Sequence, residues 1–404
     1  MPIGFNVMAK PTGPSCNLNC AYCYYLEKGK LFGDKQDLVM KEETLEIFIQ
    51  KYIREEPSRE VTFVWQGGEP TLLGIPYFKK VVQLQKKHAA GKFIHNSLQT
   101  NGTLLNEEWC RFFKDNHFLI GISIDGPEAL HDQYRLNKGG KGTYKKVIRS
   151  IELLRKHSVE FNTLTVVNDV NVERPLEVYH FLKNIGSHYI QFIPVIERVA
   201  AGCASEALKL VFPAYNGEAA IAPWSVPATK WGMFLVTIFN EWVKQDVGKT
   251  YVQLFDAALA NEVGMPAGIC IFNERCGNAI AMEHNGDLFS CDHYVYPEYK
   301  LGNIHTDSIQ ELLQSPAQQQ FGNDKSSKLP RQCKNCDVYN YCRGECPKNR
   351  ILDNDLNYFC EGYKLFFRHI RPYMKFMANE LAHRRPPANI MRYATTTALF
   401  DDGL

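Results

Sequence analysis

Ser15-Cys16-Asn17-Leu18-Asn19-Cys20-Ala21-Tyr22-Cys23 packs three thiols into eight positions, directly after a short run, Phe5 to Ala9, that reads as a first strand. Four thiolates close a tetrahedral zinc site or hold every iron of a cubane cluster, and this stretch supplies three. One coordination position is left open. An open position suits a site that binds and reduces a small molecule, whereas a closed four-thiolate site suits structure or plain electron transfer. The bland alternative is a zinc knuckle completed by a distant histidine, and no histidine occurs before His88.

Outward from this loop the pattern alternates. Leu45, Phe48, Ile49, Tyr52 and Ile53 recur at helical spacing, and Val61 to Trp65 is a β-branched and aromatic run that breaks at Gln66-Gly67-Gly68-Glu69-Pro70. Helices are predicted near Tyr77 to His88 and over Glu107 to Asp115, Tyr144 to Lys156 and Pro175 to Asn184. Strands are predicted over Phe93 to Leu98, Phe118 to Ile124, Val159 to Val167 and Tyr189 to Pro194. Six β/α units in series predict α/β architecture with parallel strands and right-handed crossovers, as a barrel or a doubly wound sheet. Each strand ends in polar residues: Glu69, Gln99 to Asn101, Ser123 with Asp125, Asn168 with Asp169, and Glu197. In a parallel barrel these converge on the carboxyl-terminal rim, where sites form; singly, each reads equally well as turn chemistry. Arg198 to Ala228 has no period and is expected to be a loop or lid. Trp231, Phe234, Leu235, Ile238, Phe239 and Trp242 then mark the packing face of a further helix.

The chain has 404 residues, 46 of them basic and 44 acidic, for a net charge of +2, which gives no electrostatic case for nucleic acid or an anionic membrane. No apolar run approaches the roughly 18 residues of a membrane span, and Met1 to Pro11 does not read as a signal peptide. A cytoplasmic protein is expected, with its 13 cysteines serving as metal ligands rather than disulfides. Eight of them lie between Cys270 and Cys360: Cys270, Cys276 and Cys291, then Cys333, Cys336, Cys342 and Cys346, then Cys360. They fit two four-thiolate sites, and spacing alone leaves open both the pairing and the choice between clusters and zinc. Cys110 is expected in a core and Cys203 in the loop. Tyr363 to Leu381 reads as an aromatic-rich helix with a kink at Pro372, followed after Arg384 by a loose tail.

Cys16-x3-Cys20-x2-Cys23, Trp65-Gln66-Gly67-Gly68-Glu69-Pro70, Leu98-Gln99-Thr100-Asn101-Gly102-Thr103, Ser123-Ile124-Asp125-Gly126-Pro127, Leu301-Gly302-Asn303-Ile304 and the second cysteine field together resemble the radical S-adenosylmethionine enzymes with a SPASM domain. More closely, they resemble the anaerobic sulfatase-maturating enzymes, over about Val7 to Tyr363. The resemblance implies a partial (β/α)6 TIM-like barrel over 1–235, with the 198–228 loop or lid, a helical linker over 236–269, a SPASM auxiliary-cluster domain over 270–371 and a C-terminal helix and tail over 372–404. It implies three [4Fe-4S] clusters. Cys16, Cys20 and Cys23 would hold the first, Cys270, Cys276, Cys291 and Cys346 the second, and Cys333, Cys336, Cys342 and Cys360 the third. Tyr22, Gly68, Ser123, Arg135 and Ile196 would touch S-adenosylmethionine, with Ile196 standing where the family carries leucine.

Asp292 matches the family's general base, where a carboxylate beside a cluster would take a proton as an electron leaves. The implied reaction oxidises a Cys or Ser in a Cys/Ser-x-Pro-x-Arg type segment of a sulfatase to Cα-formylglycine, fed by a donor such as flavodoxin or ferredoxin. Two other readings are a SPASM maturase that crosslinks a ribosomal peptide, and a non-catalytic zinc or cluster carrier. The first is disfavoured by a first strand that begins within a few residues of Met1, leaving no leader-binding module. The second is disfavoured by the open three-thiol site.

Overall fold

The computed structural model describes residues 4–32, 38–200, 210–211, 213, 215 and 217–394. The strands predicted from β-branched and aromatic runs form as β1 (Asn6–Lys10), β2 (Glu60–Trp65), β3 (Phe93–Thr100), β4 (Phe118–Ser123), β5 (Phe161–Val167) and β6 (Tyr189–Pro194). Helices α1 (Glu42–Glu55), α2 (Gly74–His88), α3 (Glu107–Asp115), α4 (Glu128–His131), α5 (Tyr144–Lys156) and α6 (Pro175–Asn184) lie in the connections. Strand β2 shows why the two element types pack. Val61, Phe63 and Trp65 are fully buried, and Phe63 meets Phe48 and Tyr52 of α1 at ring distances of 5.5 and 5.0 Å. The alternating Thr62 and Val64 face the other way and are half-buried, as expected for a concave side that the chain does not fill.

Strands β1 to β6 pair in parallel in chain order. A doubly wound sheet reverses its order at a switch point. Adjacency in chain order with right-handed crossovers instead keeps the helices on one face, which is the topology of a partial (β/α)6 barrel. Among the described residues the sheet does not close. Beyond β6 lies the short β9 (Tyr251–Val252), and beyond β1 lie β10 (Ala279–Glu283), β11 (Asp287–Phe289) and β12 (Lys300–Asn303). Strand β10 pairs in parallel with β1, from Asn6 opposite Ala279 to Lys10 opposite Glu283. The cysteine-rich half therefore continues the barrel sheet.

A second seam joins the halves. Helix α7 (Ala228–Gln245) crosses the C-terminal helix (Cys360–Ala382) where Gly232 meets Gly362. A Cβ on Gly232 would lie 2.5 Å from Gly362 O, and one on Gly362 2.1 Å from Ala228 O, so the helices touch backbone to backbone. Trp231, Phe272, Tyr363 and Phe367 fill one core around this crossing. The C-terminal helix runs unbroken through Pro372.

The expected 198–228 loop contains a small antiparallel pair, β7 (Arg198–Ala200) and β8 (Ala219–Ile221). Cys203 lies outside the described residues, and Cys110 is fully buried in α3. The tail expected after Arg384 is corrected as far as residue 394. Pro387–Arg392 forms a short 3₁₀ turn that buries Ile390, and Arg385 and Asn389 bind the Glu380 carboxylate at the end of the helix. Among the described residues no helix is long and apolar enough to cross a membrane.

Candidate active site

The carboxyl ends of β1 to β6 open on one rim, and the cysteine loop lies across it. Backbone bonds hold the loop from two sides. Gly68 N donates to Gly13 O and Glu69 N to Ser15 O, both at 2.8 Å, while Asn19 N donates to Leu136 O at 2.8 Å and Ala21 N to Tyr134 O at 3.2 Å. Gly68 is glycine for a steric reason, since a Cβ there would stand 2.0 Å from Ser15 O. Glu69 is fully buried, and its carboxylate accepts from Thr71 N and Oγ1, Thr100 Oγ1 and Asn101 N. Asn101 reaches back to the loop, donating to Asn17 Oδ1 at 2.9 Å and approaching Cys16 Sγ at 3.7 Å. The Gly-Gly-Glu-Pro turn and the Leu98 to Thr103 stretch thus form one clamp on the thiols.

Burial pushes the Cys16 thiol up to about 11 and the Cys20 thiol up to about 12. Thiols that resist ionisation are poor free nucleophiles and become thiolates beside a cationic centre, so this donor set fits a metal cluster.

Of the residues that the resemblance assigns to the cofactor, Tyr22 and Arg135 converge on Asp125. The Tyr22 hydroxyl bonds to the buried Asp125 carboxylate, Arg135 Nη2 donates to it at 3.1 Å, and the guanidinium lies 5.5 Å from the Tyr22 ring centre. Ser123 closes β4 and accepts from Gln99 Nε2 at 3.0 Å. Ile196 follows β6 and is buried; its carbonyl accepts from Lys348 Nζ at 3.3 Å, and Lys348 also pairs with Glu197 at 2.5 Å. Lys348 lies two positions beyond Cys346, so the second cysteine field reaches the same rim.

Asp292 is reached there by two groups that the sequence reading missed. Buried Lys10, the last residue of β1, forms an ion pair with it, and the Tyr24 hydroxyl donates to it. Burial alone would raise the Asp292 carboxyl; Lys10, then His293, outweigh burial and hold it at about 2. The carboxylate is ionised at neutral pH, as a proton acceptor must be at the start. Beside it Lys10 lies over the Tyr25 ring at 3.8 Å, and the Tyr25 hydroxyl bonds to Glu283. Lys10 and Glu283 each close an apolar strand, and nothing in their spacing pairs either with Asp292.

The other thiols fall into two sets. After burial, Cys291 is raised by Asp292 and then by Cys270 and Cys276, and Cys346 by Glu345 and then by Cys291 and Cys270. These four are neighbours. Cys333, Cys336, Cys342 and Cys360 line one small pocket together. Among the described residues no three His, Cys, Asp or Glu converge tightly enough to hold a single metal ion. Four thiols on one pocket are the donor set that a [4Fe-4S] cluster takes. Cys346 crosses from the second cysteine run to the first set, tying the two together.

Residues 11–182 match the Radical SAM superfamily and residues 270–337 the SPASM iron-sulfur cluster-binding domain. The chain is 49% identical to a serine-type anaerobic sulfatase-maturating enzyme of Bacteroides thetaiotaomicron, over 96% of this chain and 94% of that protein. It is 33% identical to a cysteine-type anaerobic sulfatase-maturating enzyme of Clostridium novyi, over 94% of this chain and 99% of that one. Among solved structures, anSMEcpe with bound AdoMet superposes with a TM-score of 0.81 at 32% identity, covering 93% of this chain and 99% of that chain.

Proposed function

Because the chain belongs to the anaerobic sulfatase-maturating enzymes, a family of radical SAM oxidoreductases, we propose that it oxidises a seryl or cysteinyl residue of a sulfatase polypeptide to Cα-formylglycine. The greater identity to a serine-type relative than to a cysteine-type one favours serine as the preferred residue. The observation that carries the reading is the convergence of the three-thiol loop and Asp292 on one rim, joined by Lys10 at the end of β1.

The cofactors are S-adenosylmethionine and three [4Fe-4S] clusters. When bound they supply a hydrogen-abstracting 5′-deoxyadenosyl radical at the first cluster and an electron sink at the other two. We assign Cys16, Cys20 and Cys23 to the first cluster, Cys270, Cys276, Cys291 and Cys346 to the second, and Cys333, Cys336, Cys342 and Cys360 to the third. Tyr22, Gly68, Ser123, Arg135 and Ile196 line the cofactor's place. The Glu69 and Asn101 clamp would fix the loop that holds the first cluster at the rim. Asp292 takes the hydroxyl or thiol proton once loss of the β-hydrogen has acidified it. Lys10 and Tyr24 hold the carboxylate in place and ionised for that transfer. The substrate segment carries a Cys/Ser-x-Pro-x-Arg type motif, and a flavodoxin or ferredoxin supplies electrons in the cytoplasm.

Anaerobic reconstitution with iron, sulfide, reductant and S-adenosylmethionine, followed by mass analysis of serine and cysteine peptides bearing the motif, tests the proposal. Formylglycine accompanied by 5′-deoxyadenosine, and abolished in Cys20→Ala, is the expected result. A new ring in the peptide, or nucleoside with no change to either peptide, refutes it.

A further inference from the structure

The two auxiliary thiol sets differ in the cations beside them. Lys325, in the helix Pro316–Ser327, is fully buried, and its Nζ donates to Cys270 O at 2.7 Å and Ile271 O at 2.8 Å. Among the described residues no carboxylate lies within ion-pair distance of it. Burial pushes the Lys325 ammonium down, and the sulfurs of Cys276, Cys346 and Cys270, ahead of Glu345, oppose that shift. The Glu345 carboxylate is occupied by Asn349 Nδ2 at 3.0 Å and Asn357 Nδ2 at 2.6 Å, and Arg350 Nη2 donates to the Lys325 carbonyl at 2.6 Å. Asp292, beside Cys291, is neutralised by Lys10. At the other set Lys364 is partly exposed and pairs with Glu361 at 3.2 Å, and Arg350 faces Cys333 as well as Cys276, so it does not distinguish the two sets.

A buried ammonium with no carboxylate is costly unless some other anion faces it. A [4Fe-4S] core on four thiolates is such an anion, and its charge grows from dianion to trianion when it takes an electron. A nearby fixed cation favours the more negative state and raises the potential.

We propose that Lys325 raises the reduction potential of the cluster held by Cys270, Cys276, Cys291 and Cys346 and leaves that of its auxiliary partner unmoved. Lys325 acts through the cluster and is a positioning residue. The inference rests on the assignment of those four thiols to a cluster.

The test is a potentiometric titration, followed by electron paramagnetic resonance, of the full chain carrying Cys16→Ala, Cys20→Ala and Cys23→Ala, so that only the two auxiliary clusters report. Lys325→Gln keeps a donor for the two carbonyls and removes the charge, Lys325→Met is a second neutral variant, and Lys325→Arg keeps the charge. One wave is expected to fall in the neutral variants by at least about 59 mV, the one-electron equivalent of a tenfold change in equilibrium constant. It should hold its place in Lys325→Arg while the other wave stays fixed throughout. Unmoved waves in loaded neutral variants overturn the proposal, as does loss of one cluster's iron in both, which would make Lys325 a structural residue. Zinc, or no iron, in the parent with Lys325 intact would instead refute the cluster assignment beneath it.

Discussion

Replacing Gly362 by alanine sets two effects against each other. In a helix interior alanine is favoured over glycine by about 1 kcal/mol. Against this, the new methyl would stand 2.1 Å from Ala228 O, a backbone atom that cannot rotate away. The helices must separate, loosening the Trp231 and Tyr363 packing beside the crossing. Overpacking costs about 1–3 kcal/mol, and a clash with backbone belongs at the upper end, so the net effect is a loss approaching roughly 2 kcal/mol. Cys360 begins this same helix, so the shift is also felt at the second auxiliary set. Anaerobic urea denaturation of Gly362→Ala, Gly232→Ala and the double variant checks the reasoning. Both methyls prise apart one crossing, so the double variant should cost less than the sum of the singles. A Gly362→Ala protein as stable as the parent would refute the account.

Three further perturbations have clear signs. In Lys10→Met the Asp292 carboxylate loses its ion pair, and burial, the largest influence on it, is then less opposed and raises its carboxyl above about 2. Peptide oxidation should lose activity at a higher pH on the acid side than the parent does, and a pH profile like the parent's would contradict the ion pair's role. At Lys28 burial, then Lys10, pushes the ammonium down to about 7, whereas the unfolded chain binds that proton up to its ordinary value of 10.5. Folding stability should therefore climb as pH rises through this window, by up to about 1.4 kcal/mol per unit, and the climb should vanish in Lys28→Met. Equal slopes in anaerobic melts at pH 7 and 9 would count against it. Gly68→Ala forces a methyl to within 2.0 Å of Ser15 O and should abolish S-adenosylmethionine cleavage while the auxiliary clusters still load; retained cleavage would show that the loop can yield.

What could be read before the structure was whatever is local in sequence. The three thiols of the opening loop, the Gly-Gly-Glu-Pro turn and the strand-helix rhythm depend on spacing and composition, and each stands where its pattern puts it. Lys10 was not legible in this way. At the end of Asn-Val-Met-Ala-Lys it reads as a solvated strand terminus, and only the pairing of β1 with β10 brings Asp292 to it. Lys325 was hidden for the same reason, since the polar helix Pro316–Ser327 gives no sign that one lysine turns inward onto Cys270. Nor could spacing separate the eight later thiols into sets, because Cys346 crosses between runs. The residues after Arg384 read as a tail because Ile390 has no apolar period around it, and its burial depends on the helix it folds back upon.

The parallel pairing of β1 with β10 also sets a timetable for the newborn chain. Strand β1 is made long before β10, and one of its two hydrogen-bonding edges is satisfied only when Ala279 to Glu283 has been made. At about 5–20 residues per second that interval is on the order of tens of seconds. During it the strand that anchors the three-thiol loop carries an unpaired edge and lacks its partner for Lys10, the kind of surface that invites aggregation. Iron delivered before the SPASM half is complete would meet a half-built rim. Faithful loading of the first site thus belongs at the end of synthesis, and a host expressing this chain gains from slow growth and ample chaperone cover.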